Sequence, residues 1–188
     1  MRIISGIAKG KRILSPSDKK TRPLKDLVKE SIFNILRHSD LLNQKFTECL
    51  VLDLFSGVGS FGLEAISRGV RKVVFFENYK KAADMLKKNL SILDFNEQAE
   101  VNEKNVYDEN SFENLKYKFD IIFLDPPFND YDIHRLISNL ADAQVLSSKN
   151  LTIIHRRKST KDKFNDRFKS IREEFYGSSK IIFGSINT

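Results

Sequence analysis

The sequence predicts an α/β fold: a mostly parallel, seven-stranded sheet with helices on both faces, preceded by a small β-hairpin and helix. Two observations carry this. Four short runs rich in Val, Ile, Leu and Phe, at 50–55, 72–77, 119–125 and 151–155, alternate with amphipathic helical patterns over 62–68, 79–93 and 130–140. Such alternation argues for parallel strands joined by helical crossovers. A glycine-rich turn, Ser56-Gly57-Val58-Gly59-Ser60-Phe61-Gly62, stands between the first run and its helix, which is where open sheets of this kind hold ligands. Residues 99–102 read as a weaker strand, and 170–176 and 180–186 as an antiparallel pair turning at Gly177, which completes the sheet.

Ahead of the sheet, Ile3, Ile4, Ile7, Ile13 and Leu14 form two short β-like runs around Lys9-Gly10. A polar loop over 15–20 follows. Thr21-Arg22-Pro23 then opens a helix, since proline suits a first turn. Leu24, Leu27, Val28, Ile32, Ile35 and Leu36 recur at helical spacing, and the pattern ends near His38. The expected organisation is one domain over 1–188, with a basic extension at 1–38 and a catalytic core at 46–188.

At 188 residues with 40% hydrophobic content, the chain is long enough to bury a full core and too apolar to stay disordered. No apolar run approaches the ~20 residues needed to cross a bilayer, and the N-terminus lacks a basic segment followed by a long apolar stretch. The single cysteine, Cys49, excludes an internal disulfide and a Cys-rich metal site, and the three histidines lack ligand spacing, so no metal is expected. The expected compartment is the cytoplasm, with no membrane partner and a monomeric state. The net charge of +7 is not spread evenly: residues 1–29 hold nine Lys/Arg against two acids, and the remainder balances. A folded basic ribbon of this kind suits a phosphate backbone. Arg2, Lys9, Lys11, Arg12, Arg22, Lys25 and Lys29 are its expected nucleic-acid-binding residues.

The glycine turn matches the spacing of a dinucleotide site, and Glu77 ends the next strand twenty residues past Gly57. Asp53 argues otherwise. A carboxylate just before the loop repels a pyrophosphate and suits a ligand that presents cations there. S-adenosyl-L-methionine, with its sulfonium and ammonium, is such a ligand. Asp53, Phe55, Ser56, Gly57, Gly59, Gly62, Glu77 and Asn78 form the expected cofactor-binding set, with Glu77 accepting from the ribose hydroxyls. The competing reading is that Asp53 caps the following helix and the glycines make a tight turn.

The apolar run that begins at Phe119 ends in Asp125-Pro126-Pro127-Phe128. Two prolines offer no N–H, so the turn accepts hydrogen bonds and barely donates. It therefore fits a planar exocyclic amine, held by Asp125 and the Pro126 carbonyl with its lone pair aimed at a methyl donor. Phe128 supplies a face on which a base can stack. Catalysis then comes from alignment and desolvation, with these four residues as the expected catalytic set. Guanine offers two adjacent donors, N1–H and its 2-amino group, and matches the carboxylate better than adenine, although an adenine amine can bind one oxygen.

These residues resemble the RsmD family of bacterial 16S rRNA guanine-N2 methyltransferases, which have the class I S-adenosylmethionine-dependent, Rossmann-like fold. The most selective part is Arg2-Ile3-Ile4-Ser5-Gly6 with Lys9-Gly10, then Thr21-Arg22-Pro23 with Asp26, Val28, Lys29, Glu30, Phe33 and Asn34. Leu52-Asp53-Leu54-Phe55-Ser56-Gly57, Gly62-Leu63-Glu64-Ala65, Ser67-Arg68-Gly69, Asp125-Pro126-Pro127-Phe128 and Tyr176-Gly177 complete it. The resemblance implies methylation of the guanine 966 type, at N2 in 16S rRNA, on a 30S subunit or assembly intermediate. It also implies an adenine contact at Asn105 and Val106, where Asn105 replaces a usual acid and Asp108 is the alternative. Leu24, Leu27 and His155 likewise depart from the family pattern. The competing functions are methylation of another exocyclic amine, such as adenine N6 in DNA or RNA, and RNA binding without catalysis. Nicotinamide-dependent oxidation ranks last.

Overall fold

The computed structural model describes residues 1–17, 24–108 and 110–187. Its sheet has seven strands: β1 (Leu50–Leu54), β2 (Lys72–Phe76), β3 (Ala99–Asn102), β4 (Phe119–Leu124), β5 (Leu146–Arg157), β6 (Phe168–Tyr176) and β7 (Ser179–Ile186). Their order is β3-β2-β1-β4-β5-β7-β6. The first five pair in parallel, while β7 runs antiparallel to β5 and to β6. Four helices accompany them: α1 (Asp26–His38), α2 (Ser60–Ser67), α3 (Lys80–Leu93) and α4 (Ile133–Asp142). The order reverses at β1, so the crevice beyond the carboxyl ends of β1 and β4 is the expected ligand position for such a sheet.

Strand alternation divides the buried apolar side chains of the sheet between two cores. Val51, Val73, Phe75, Ile121, Phe123 and Ile153 face α1, α2 and α3, whereas Leu52, Leu54, Val74, Phe76, Ile122 and Ile154 face α4. The same period carries Asp53, Asp125 and His155 onto the α2 face, since each lies an even number of residues from these positions. An aromatic column underlies that face: Phe33 of α1 stacks on Phe61 of α2, and Phe61 on Phe123 of β4 with ring centroids 4.0 Å apart.

Some boundaries differ from the sequence reading. α1 begins at Asp26, after an extended Lys25; the expected opening at 21–23 lies outside the described residues. α4 begins at Ile133 because the Asp130 carboxylate accepts from Asp132 N at 2.9 Å and holds that stretch as a turn. β5 runs back to Leu146 through Ser147, Ser148, Lys149 and Asn150, which lack an apolar signal but lie within its pairing with β4 across a register shift. The N-terminal hairpin is reduced to a single antiparallel bridge, Arg2–Arg12, with Ile3 N donating to the Lys11 carbonyl at 2.9 Å.

Instead of extending as a ribbon, the N-terminal segment is clamped to α2. Glu64, fully buried, accepts from Ile4 N at 2.7 Å and Ser5 N at 2.9 Å, pairs with Arg68 Nε at 2.7 Å, and lies 3.7 Å from Lys29 Nζ. Lys29 Nζ also donates to the Arg2 carbonyl at 2.9 Å. Gly6 permits the approach, since a Cβ there would fall 1.8 Å from the Ser67 carbonyl oxygen. A buried carboxylate needs this degree of pairing, because removing one partner of such a group typically costs about 3–5 kcal/mol. The helix that carries the glycine turn is thereby fixed to the basic segment.

Candidate active site

A cleft of about 810 Å³ opens at the carboxyl ends of β1, β2 and β4. Asp53, Phe55, Ser56, Gly57, Glu77, Asn78 and the whole run Asp125-Pro126-Pro127-Phe128 line it, above a floor of Phe61 and Phe123. Met1, Ser15, Pro16 and Leu24 close one side, so the basic segment forms part of the wall. Among the described lining residues three are acids and none has a basic side chain, in a chain of net charge +7.

The acids are held differently. Asp53 is 1% exposed, and its Oδ2 accepts from Gly62 N at 2.9 Å, capping the start of α2. The capping reading is thus realised, and the same carboxylate still borders the cleft. Burial pushes its pKa well above the ordinary carboxylate range; the Gly62 bond opposes this, and the charges of Asp125 and Glu77 add to it. Glu77 grips the glycine turn: Oε2 accepts from Gly57 N and Oε1 from Tyr79 N, each at 2.7 Å. Burial raises its pKa too, against the pull of these backbone donors. Asn78 N is a further backbone donor to this carboxylate, which leaves room for one hydroxyl rather than two.

The turn between β1 and α2 needs its glycines for different reasons. Phe55, Gly57 and Gly59 have φ of +59°, +56° and +84°, and a phenylalanine held in that region marks local strain of the kind found at ligand sites. Gly59 and Gly62, expected to contact the cofactor, are packing residues and do not appear among the cleft's described lining. A Cβ on Gly59 would come 2.4 Å from Leu86 Cδ1, and one on Gly62 would come 2.2 Å from Phe75 Cε1. They let α2 approach α3 and β2.

Asn105 and Val106 are also absent from that lining. Asn105 Oδ1 accepts from Tyr107 N at 3.1 Å within its own loop, and Val106 is buried in the α4-side core. The side-chain oxygen expected to meet an adenine amine is therefore already engaged. In the basic segment, Arg2, Lys9, Lys11, Arg12 and Lys25 are exposed as expected, and Arg22 lies outside the described residues. Lys29 requires correction: its side chain is 0% exposed and its ammonium is committed to Arg2, Ser60 and Glu64, out of reach of an RNA phosphate. Burial lowers its pKa despite the neighbouring Glu64. A lysine at helical spacing within Val28, Ile32 and Leu36 already carried the signal of a buried position.

Two residues in the loop's support went unrecognised in the sequence. His155 Nδ1 lies 2.8 Å from Asp125 Oδ1 and its Nε2 lies 2.9 Å from Ser179 Oγ. Arg156, fully buried, donates to the carbonyls of Pro127 at 3.3 Å and Asp130 at 2.6 Å, and pairs with Asp162 at 2.9 Å. Of the two proline carbonyls, Pro127's is thus engaged within the protein. His155 closes the predicted strand 151–155 and Arg156 follows it, and the sequence assigns a role to neither. Cys49 is inert, its thiol pushed up to about 11 by burial.

A family model described as "Conserved hypothetical protein 95" matches residues 1–185. The chain belongs to the RsmD family. Its RsmD relatives include "Ribosomal RNA small subunit methyltransferase D" of Haemophilus influenzae, 38% identical over 84% of this chain and 79% of that protein. Among solved structures, yhhF of Escherichia coli, described as a candidate methyltransferase, superposes with a TM-score of 0.81 at 26% identity, covering 100% of this chain and 98% of that one. The rRNA methyltransferase aviRa of Streptomyces viridochromogenes shares the fold, with a TM-score of 0.70 at 14% identity over 89% of this chain and 87% of its own. The fold is that of class I methyltransferases, and among the described residues no helix is long and apolar enough to cross a membrane.

The raised pKa of Asp53 sets a sign. The folded chain holds a proton there that the unfolded chain releases near its ordinary value of 3.8, so the free protein loses stability as pH rises from about that value through the raised one. Glu77 contributes in the same direction. Thermal unfolding at a series of pH values should therefore show a shallower decline for Asp53→Asn than for the native chain, and the difference between the two curves isolates Asp53.

Proposed function

We propose that the chain transfers the methyl group of S-adenosyl-L-methionine to the exocyclic N2 amine of a guanine in 16S rRNA, acting on a 30S subunit or assembly intermediate. The observation that carries this reading is the cleft itself, with three carboxylates and no basic side chain among its described lining, opening beside a wall that bears exposed cations. Anionic RNA and a cationic donor call for these opposite surfaces. When bound, the donor supplies an electrophilic methyl carbon beside the proline turn.

The chain's own residues do the rest. Asp53, Glu77, Gly57 and Asn78 would hold the donor: Asp53 compensates positive charge, and Glu77 takes a hydroxyl donor on its remaining lone pair. Asp125 and the Pro126 carbonyl accept the two amine N–H groups and turn the nitrogen lone pair out of conjugation with the ring. The amine loses one N–H proton for the methyl it gains, and the Asp125 carboxylate is the acceptor beside it. Phe128 offers its face to the base. Arg2, Lys9, Lys11, Arg12 and Lys25 take backbone phosphates, so the extension at 1–38 presents RNA to the core at 46–188.

Rigid docking of the basic segment through Glu64 and Lys29 supports this division of labour, because the wall that meets RNA is built onto the helix that meets the donor. The relatives named for ribosomal small-subunit RNA support the substrate class.

The direct test is methyl transfer from tritiated S-adenosylmethionine to 30S particles from a strain lacking the protein, with the nucleosides identified after digestion. N2-methylguanosine is the expected product, and N6-methyladenosine in its place would overturn the base assignment. Asp125→Ala should lower kcat by about 100-fold or more, as for loss of an aligning group, while donor affinity stays near native.

A further inference from the structure

Resting on the reading of Asp125 as the amine-holding acid, we propose that His155 and Arg156 are positioning residues for the acceptor loop. Consecutive on β5, they grip it from opposite faces of the sheet. His155 orients the Asp125 carboxylate, and Arg156 fixes the backbone that follows. Neither is among the described residues lining the cleft, so both act through the loop.

The register makes the arrangement. Leu124 pairs with Ile154 at the end of the β4–β5 ladder, which brings Asp125 and His155 level on the α2 face. His155 is 2% exposed and bridges Asp125 Oδ1 and Ser179 Oγ. A carboxylate only accepts, so Nδ1 carries the hydrogen, and the Ser179 hydroxyl, which can donate or accept, bonds Nε2. Ser179 is buried on β7, which pairs with β5, so the imidazole is braced by the sheet and its rotation is prevented. Phe128 meets the ring edge-on at 5.8 Å. With Oδ1 tied back to β5, Oδ2 is the oxygen the carboxylate presents to an amine.

One residue on, alternation sends Arg156 to the other face. Its guanidinium donates to the carbonyls of Pro127 and Asp130, and Asp162 balances its charge at 2.9 Å. Asp130 in turn accepts from the Tyr107 hydroxyl at 2.7 Å, so the loop is anchored at both ends. A turn with two prolines has few N–H groups for ordinary loop bonding. The Pro127 carbonyl accepts one such bond, from Asp130 N at 2.9 Å; Arg156 adds a second donor there and donates to the Asp130 carbonyl, in a fixed fork that a lysine cannot reproduce.

The test separates orientation from mere packing. His155→Asn places an amide N–H where Nδ1 stood, whereas His155→Leu keeps bulk and offers no donor. In the tritium assay on 30S particles, His155→Leu should lower kcat by about 100-fold, the effect of misplacing a reacting group by about 1 Å. Its affinity for S-adenosylhomocysteine should stay near native and its thermal unfolding should match that of His155→Asn, which should recover most of kcat. Arg156→Lys should show a similar fall in kcat with donor affinity kept. Native kcat in His155→Leu, or an equally deep loss in His155→Asn, overturns the proposal. Nitrogen-15 NMR of the native chain, which is independent of turnover, should report a hydrogen on His155 Nδ1; a bare Nδ1 overturns it as well. If the native chain methylates no RNA while the Nδ1 hydrogen is found, the functional reading fails and the structural bond stands.

Discussion

Asp53 is enclosed at the end of β1 with a single backbone donor among the described residues, and it faces two other carboxylates across the cleft. Burying a charge in this way is unfavourable unless something positive compensates it. No side chain of the described lining does, and no positive group is among those acting on Asp53, which makes the free cleft a site waiting for a cation. The proton that Asp53 holds above its ordinary range is the substitute in the absence of such a ligand. A pyrophosphate would worsen the imbalance, and that separates this glycine turn from dinucleotide sites of the same spacing.

Sheet order and strand period place the acids together. β1 lies between β2 and β4, so Asp53, the last residue but one of β1, comes beside Glu77 and Asp125, which directly follow β2 and β4. Glu77 ties the glycine turn to β2, Asp53 ties the start of α2 to β1, and β5 ties the proline turn from behind. Each binding element is thus attached to the sheet by backbone or buried side-chain bonds, giving the preorganisation that alignment chemistry requires. The basic segment joins the same body through Glu64, which satisfies two of its backbone N–H groups.

Much of this was legible in the chain. Apolar runs identified the strands because parallel strands buried on both faces carry little else, and the tail pair was marked by Gly177, whose φ is +57°. Asp53, Glu77 and the proline turn stood out because acids and prolines at strand ends conflict with simple packing. What spacing alone left open was the purpose of each glycine: Gly59 and Gly62 serve close packing against Leu86 and Phe75, and only the third dimension tells this from ligand contact. His155, Arg156 and Lys29 were hidden for the opposite reason. Polar residues read as solvated, and their burial depends on partners at 125, 127 and 64, far away in sequence.

The cleft's demand for positive charge is tested most directly by titrating S-adenosylmethionine and S-adenosylhomocysteine into the protein in two buffers of different ionisation enthalpy. The two ligands differ at the sulfur, which is a sulfonium in one and a neutral thioether in the other. At a pH near the raised value of Asp53, the sulfonium ligand should bind more tightly and release more protons from the protein, and Asp53→Asn should abolish both differences. Equal affinity and equal proton release for the two ligands would contradict the account.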